Sequence, residues 1–190
     1  MSVWGALAGG VIGTTVLSTV LRAAQELGWT RMDLPFLLGT AFSGNRSRAT
    51  AIGYAIHFAN GVLFSLAYAF VFWAVGAAGL LVGAGLGLVH GLFAGGPLVN
   101  VLLPSVHPRM GAPWSDAEET PLLEPPGFML VNYGRATAAV TLVAHVVYGA
   151  IVVKSSPRVS IGVRRQSASG PPIAISVSSS SRRTQGTIEP

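Results

Sequence analysis

Sixty consecutive residues, from Ala49 to Pro108, contain no Asp, Glu, Lys or Arg. About 20 helical residues cross the roughly 30 Å hydrocarbon core of a bilayer. This stretch is therefore long enough for two crossings with a turn between them, placed near Gly76–Gly79. Two further stretches pass the same test: Ser2–Leu21 is uncharged, and Ala136–Val153 follows Arg135 without another charge. Backbone groups in lipid must be satisfied within the protein, and barrel strands would alternate apolar and polar residues. These segments do not alternate, so helices are expected. Composition supports this at one point: charged residues make up 10% of the 190, against roughly a quarter in soluble domains. A soluble chain this short needs a larger polar skin. The expected fold class is all-α, an integral membrane four-helix bundle over residues 1–153, with spans at about 2–21, 49–75, 78–97 and 133–153. The first span lacks the basic leader of a secretory signal and is read as retained.

The connections carry most of the charge. In Arg22–Arg48 the apolar run Leu34–Phe42 is too short to cross. It is expected to be interfacial or re-entrant, with Trp29 and its flanking arginines at headgroup depth. Trp4, Trp73 and Trp114 suit the same anchoring role. Pro97–Phe128 is proline-rich, sets Asp116, Glu118, Glu119 and Glu124 against Arg109, and is expected to be non-helical. After Val153 the chain becomes a basic Ser/Arg-rich tail, 154–190, expected to be disordered. The tail holds Lys154, Arg158, Arg164, Arg165, Arg182 and Arg183 against Glu189, while elsewhere six arginines balance six acids. The net charge of +5 thus belongs to the tail. A polybasic tail suits anionic lipids. Nucleic acid is not an expected partner, since no basic face interleaved with aromatics is present. Basic residues are equally divided between the two sides of a four-span topology, so the positive-inside rule leaves orientation undecided. The absence of cysteine excludes disulfides, thiolate metal sites and cysteine nucleophiles.

Two patterns inside the spans bear on packing and chemistry. Gly79, Gly83, Gly87, Gly91 and Gly95 recur every four residues, and Gly5, Gly9 and Gly13 repeat the spacing in the first span. Such a stripe lets another helix backbone settle closely. Packing within the chain is the leading reading, and association of two protomers, or with another membrane protein, the alternative. His57, His90 and His145 lie one each in spans two, three and four. At 1.5 Å per residue all three fall roughly 10–15 Å from the same membrane face. Ionisable side chains at such depth usually face the bundle interior, so convergence is expected. Tyr54 and Asn60 flank His57 at three-residue spacing, Thr141 and Tyr148 flank His145, and Thr14, Thr15 and Ser18 offer hydroxyls. Asn100 and Asn132 are read as helix-end hydrogen bonders. His107 stands apart between two prolines; with Asp116, Glu118 and Glu119 nearby in sequence, an acidic solvated loop is the leading reading and a peripheral cation site the alternative, though metal spacing is not evident.

The run MDLPFLLGTAF, then His57 with Asn60, then GLVHG, HPRMG, PGF and HVVYG, resembles a group of small bacterial inner-membrane proteins classed as a domain of unknown function. The likeness covers about residues 1–153. It implies four spans, a shared core bearing His57, His90, His107 and His145, and a place in the bacterial inner membrane as a multi-pass protein. It implies no activity.

No nucleophile–base pair and no paired carboxylates lie in the spans, and no catalytic residue is assigned. The leading expectation is a non-enzymatic accessory or proton- or solute-handling protein that uses His57, Asn60, His90 and His145 as an interior polar cluster. An open channel is disfavoured, because VLFSLAYAFVFWAV beyond His57 is almost wholly apolar. The alternative is a b-type haem or metal-binding electron carrier with two of the three intramembrane histidines as axial ligands.

Overall fold

A computed structural model describes residues 2–108, 110 and 126–155. Helix α1 is Val3–Glu26, α2 Leu34–Gly39 and α3 Arg46–Val75. Helix α4 is Leu80–Val106 and α5 is Thr137–Lys154. Helices α1, α3, α4 and α5 are each long and apolar enough to cross a bilayer, and the described residues contain no strand. The chain is an all-α, multi-pass membrane bundle. The acidic loop residues Asp116, Glu118, Glu119 and Glu124, with Arg109 and Trp114, lie outside the described residues, as does the tail from residue 156.

Local chemistry marks the helix ends. Ser2 Oγ accepts from the Gly5 amide at 3.1 Å, Asp33 Oδ1 from Phe36 at 3.1 Å, and Asn45 Oδ1 from Arg48 at 3.1 Å. Each side chain satisfies an amide that the first helical turn leaves without a partner. Helix α3 stops where Gly76 takes a left-handed φ of 69°, a conformation that costs glycine little.

The third span departs from expectation. Its end was expected near Pro97, yet the helix continues to Val106. Pro97 lacks an amide proton and normally breaks a helix. Here Ala94–Leu102 widens into π-helical turns. Asn100 Nδ2 donates to the carbonyls of Gly95 and Gly96 at 3.0 and 2.9 Å, which braces the widened turns.

Helices pack as an arc in the order α2, α3, α1, α5, α4. In lipid there is no hydrophobic drive between helices, so contact depends on small residues. A Cβ on Gly83 would stand 2.5 Å from the Gly149 carbonyl oxygen, and one on Gly87 would collide with the His145 carbonyl. One on Gly91 would crowd the His145 side chain, and one on Gly95 would meet Met129. The α4 stripe is therefore spent inside the chain, on α5 and the segment before it. Gly79 has nothing near it and does not take part. In α1, Gly9 faces Val152 and Ser155, and Gly13 lies under the Tyr148 ring. Gly5 is half-buried, and its amide is the one capped by Ser2.

Loop one folds back on the bundle. Helix α2 lies backbone-to-backbone on the start of α3, where Gly39 meets the Ala49 carbonyl and Gly53 meets that of Pro35. The rest of the loop closes over residues preceding α5. Arg31 N–H donates to Tyr133 O at 2.7 Å, its guanidinium to Asn132 O at 2.6 Å, and Thr137 Oγ1 to Thr30 Oγ1 at 2.7 Å. Phe128–Tyr133 forms a 3-10 turn in which Met129 and Leu130, both buried, hold φ of 52° and 64°. Two consecutive non-glycine residues in the left-handed region are uncommon and strained.

Candidate functional site: a histidine-floored cleft between α3 and α4

Helix α4 stands at one end of the arc, and α3, beside the short α2, stands near the other. Where they approach, side chains bridge them: the His90 ring stacks on Phe64 with centroids 3.8 Å apart, and Tyr68 Oη donates to the Leu86 carbonyl at 3.0 Å. Beside these bridges lies a cavity of about 440 Å³. Its walls are mainly Leu, Ile, Val and Phe from α1, α2, α3 and α4, and no Asp, Glu, Lys or Arg lines it. All four histidines do. Exposed Phe42, Asn60 and Val106 also line it and form its rim. The mouth thus opens sideways, on the α3–α4 side of the bundle.

The floor is built by α4 and α5 together. His90 and His145 meet edge to face, ring centroids 4.7 Å apart, which the glycine-mediated approach of these helices makes feasible. His145 Nδ1 lies 2.7 Å from the Thr141 carbonyl, which only accepts, so Nδ1 carries the proton. His90 Nδ1 lies 3.2 Å from Tyr68 Oη. With the Tyr68 proton directed to Leu86, His90 Nδ1 is the donor. Both rings are thereby set as Nδ1–H tautomers, and Nε2 of each keeps an acceptor lone pair with no protein hydrogen bond. Tyr148, 1% exposed, donates its hydroxyl to the Gly61 carbonyl and joins the same aromatic group. Thr141, 2% exposed, lines the cavity, and its Oγ1 has no hydrogen-bond partner.

The expected polar cluster is assembled in part. His57 and Asn60 line the same cavity as His90, His145, Thr141 and Tyr148. Tyr54 does not: it is 39% exposed and lies beside a small polar recess with Ser18, Gln25 and Asp33. Its register on α3 carries it off the cavity face, although His57 reaches both places. Thr14 is buried at the cavity wall and Thr15 is exposed, each bonded to a carbonyl four residues earlier. His107 is not peripheral. It is 3% exposed, with Nε2 donating to Leu37 O at 3.1 Å and 3.3 Å from Thr40 Oγ1, because α4 continues past Pro97 and turns this residue in under α2. The acids expected beside it lie outside the described residues.

Phe64, Tyr68 and Leu130 were missed by sequence reasoning. Tyr68 had a signal, a phenol at mid-span that requires a polar partner in lipid. Leu130 had none, since its place depends on the strained turn.

Among the described residues no three His, Asp or Glu side chains come close enough to hold a metal ion. Axial imidazoles stand on opposite faces of a porphyrin, whereas His90 and His145 touch each other and leave no slot between them. Comparison with family models, with characterised proteins and with solved structures finds no match.

Proposed function

We propose that this protein is a non-enzymatic membrane binding unit that takes a small, mainly apolar molecule from the bilayer into the cleft between α3 and α4. The carrying observation is the cavity itself: about 440 Å³, apolar-walled, open at the side and floored by imidazoles. That volume lies within the usual range of small-molecule sites, which are mostly apolar with a few placed polar groups. Water is a poor filling. At about 30 Å³ per molecule the space would hold on the order of fifteen waters, each wanting two to four polar partners, and the walls supply few. Asn60 adds support: an exposed amide midway along α3 would face hydrocarbon unless something polar covers it. A proton path has less support, because both imidazoles of the pair hold their Nδ1 proton against a fixed acceptor. A place in the bacterial inner membrane belongs to the same proposal and rests on the sequence resemblance.

Photolabelling tests it. With the protein in lipid nanodiscs, adamantane diazirine is expected to form adducts on cleft residues such as Leu17, Leu98 and Leu130. Adducts confined to outward-facing residues such as Phe70 and Leu81 would overturn the proposal.

A further inference from the structure

We propose that the molecule held in the cleft carries a hydroxyl group, as an alcohol or phenol at one end of an apolar body, recognised by His90, His145 and Thr141. This rests on the reading of the cleft as a ligand site and specifies its chemistry. The backbone and Tyr68 occupy Nδ1 of both rings, leaving an acceptor at each Nε2. A ligand that satisfies these atoms must donate a hydrogen. Thr141 lines the cleft, and its Oγ1, buried without a partner, becomes the complementary donor to the ligand oxygen once a χ1 rotation turns the hydroxyl toward the cleft. A hydroxyl donates its one hydrogen to one of the two Nε2 atoms and accepts from Thr141 through the same oxygen. A ketone or an ether oxygen accepts only and leaves both imidazole nitrogens bare. A charged headgroup is excluded on other grounds: no side chain of opposite permanent charge lines the cleft, and an unpaired charge at membrane depth is expensive. The apolar body is fixed by the walls, where Leu17, Leu98, Val99 and Leu103 are among the contacts available.

The ring stack supports the assignment. Phe64 covers one face of His90, and the His90–His145 and Tyr68–Tyr148 contacts hold the group edge to face. The imidazoles are thus oriented before any ligand arrives, which lowers the ordering cost of binding. Polar groups left unpaired in a buried site discriminate strongly against an analogue that lacks the matching hydrogen.

The test uses the full chain in nanodiscs, photolabelled with a diazirine-bearing hexadecanol and competed with unlabelled hexadecanol or hexadecyl methyl ether. Hexadecanol is expected to suppress cleft adducts at about tenfold lower concentration than the ether. Equal competition by the two would overturn hydroxyl recognition while leaving an apolar cleft site standing. No cleft adducts with this probe, in protein that adamantane diazirine does label there, would also overturn it. Absence of cleft labelling by both probes would instead remove the site. His145→Phe and Thr141→Val are each expected to shrink the alcohol preference several-fold, and the second keeps the side-chain volume should the first fail to fold. Full preference retained in a folded variant of both would overturn the assignment to these residues.

Discussion

Tyr148 stands where three helices meet. Its ring covers Gly13 of α1, its hydroxyl donates to the Gly61 carbonyl of α3, and it belongs to α5. Tyr148→Phe keeps the ring and removes the donor. Interhelical hydrogen bonds in membranes average about 0.6 kcal/mol and reach roughly 1.7. This one is buried, and a loss near the upper part of that range is expected in reversible unfolding by SDS. An unchanged midpoint would mean that the bond contributes nothing. Thr141→Val should behave differently. Its hydroxyl has no partner, so removal spares a desolvation cost of about 1 kcal/mol, and the ligand-free protein should be equally stable or slightly more stable. A clear loss would show that the hydroxyl is bonded after all.

The pairing of α4 with α5 brings two backbones together over glycine, and its glycines are not equivalent. Gly87 lies against the His145 carbonyl, while Gly85, two residues earlier, has open space around it. Gly87→Ala is expected to push the helices apart and cost about 1–3 kcal/mol as overpacking. Gly85→Ala should be neutral or gain up to about 1 kcal/mol from helix propensity. Equal effects in the same unfolding assay would refute the contact. Because the stripe is already covered by α5 and Met129, crosslinking in membranes is not expected to yield a dimer that these glycines control. The π-helical segment is a second element with a local cause. Asn100→Leu deprives the Gly95 and Gly96 carbonyls of a side-chain donor, and amide exchange over 94–102 should quicken while α5 stays protected.

Four crossings place Ala77 and Ser155 on one side of the membrane, and Ser43 and Gly134 on the other. The hydrogen bonds of Thr30 and Arg31 in loop one to Thr137 and Asn132 require loop one and the segment before α5 to lie on the same side. The chain has no cysteine, so single-cysteine variants at these positions report topology without background. Impermeant maleimide should label Ala77→Cys and Ser155→Cys together, and the other two only from the opposite face. Filling the cleft tests its role in the whole molecule. Leu98→Trp, on the π-helical wall, should abolish most cleft photolabelling while leaving outer-face adducts unchanged.

Much of this was legible from residue order. A charge-free run of about 20 residues marks a candidate span whatever its neighbours are, and it is helical because the cost of unsatisfied backbone in lipid is local. The four spans, the turn at Gly76 and the expectation of a similar depth for His57, His90 and His145 follow from that rule and the helical rise. The glycine stripe announced close packing by its spacing alone. Spacing assigns residues to a face of one helix, however, and not to a partner. That α4 settles on α5 rather than on α3, and so holds His90 against His145 with a cleft beside it, depends on which small residues meet across chain separations of sixty residues. Tyr54 and His107 were misplaced for the same reason: one lies on the far edge of its helix face, and the other is carried inward by a helix that passes through its own proline.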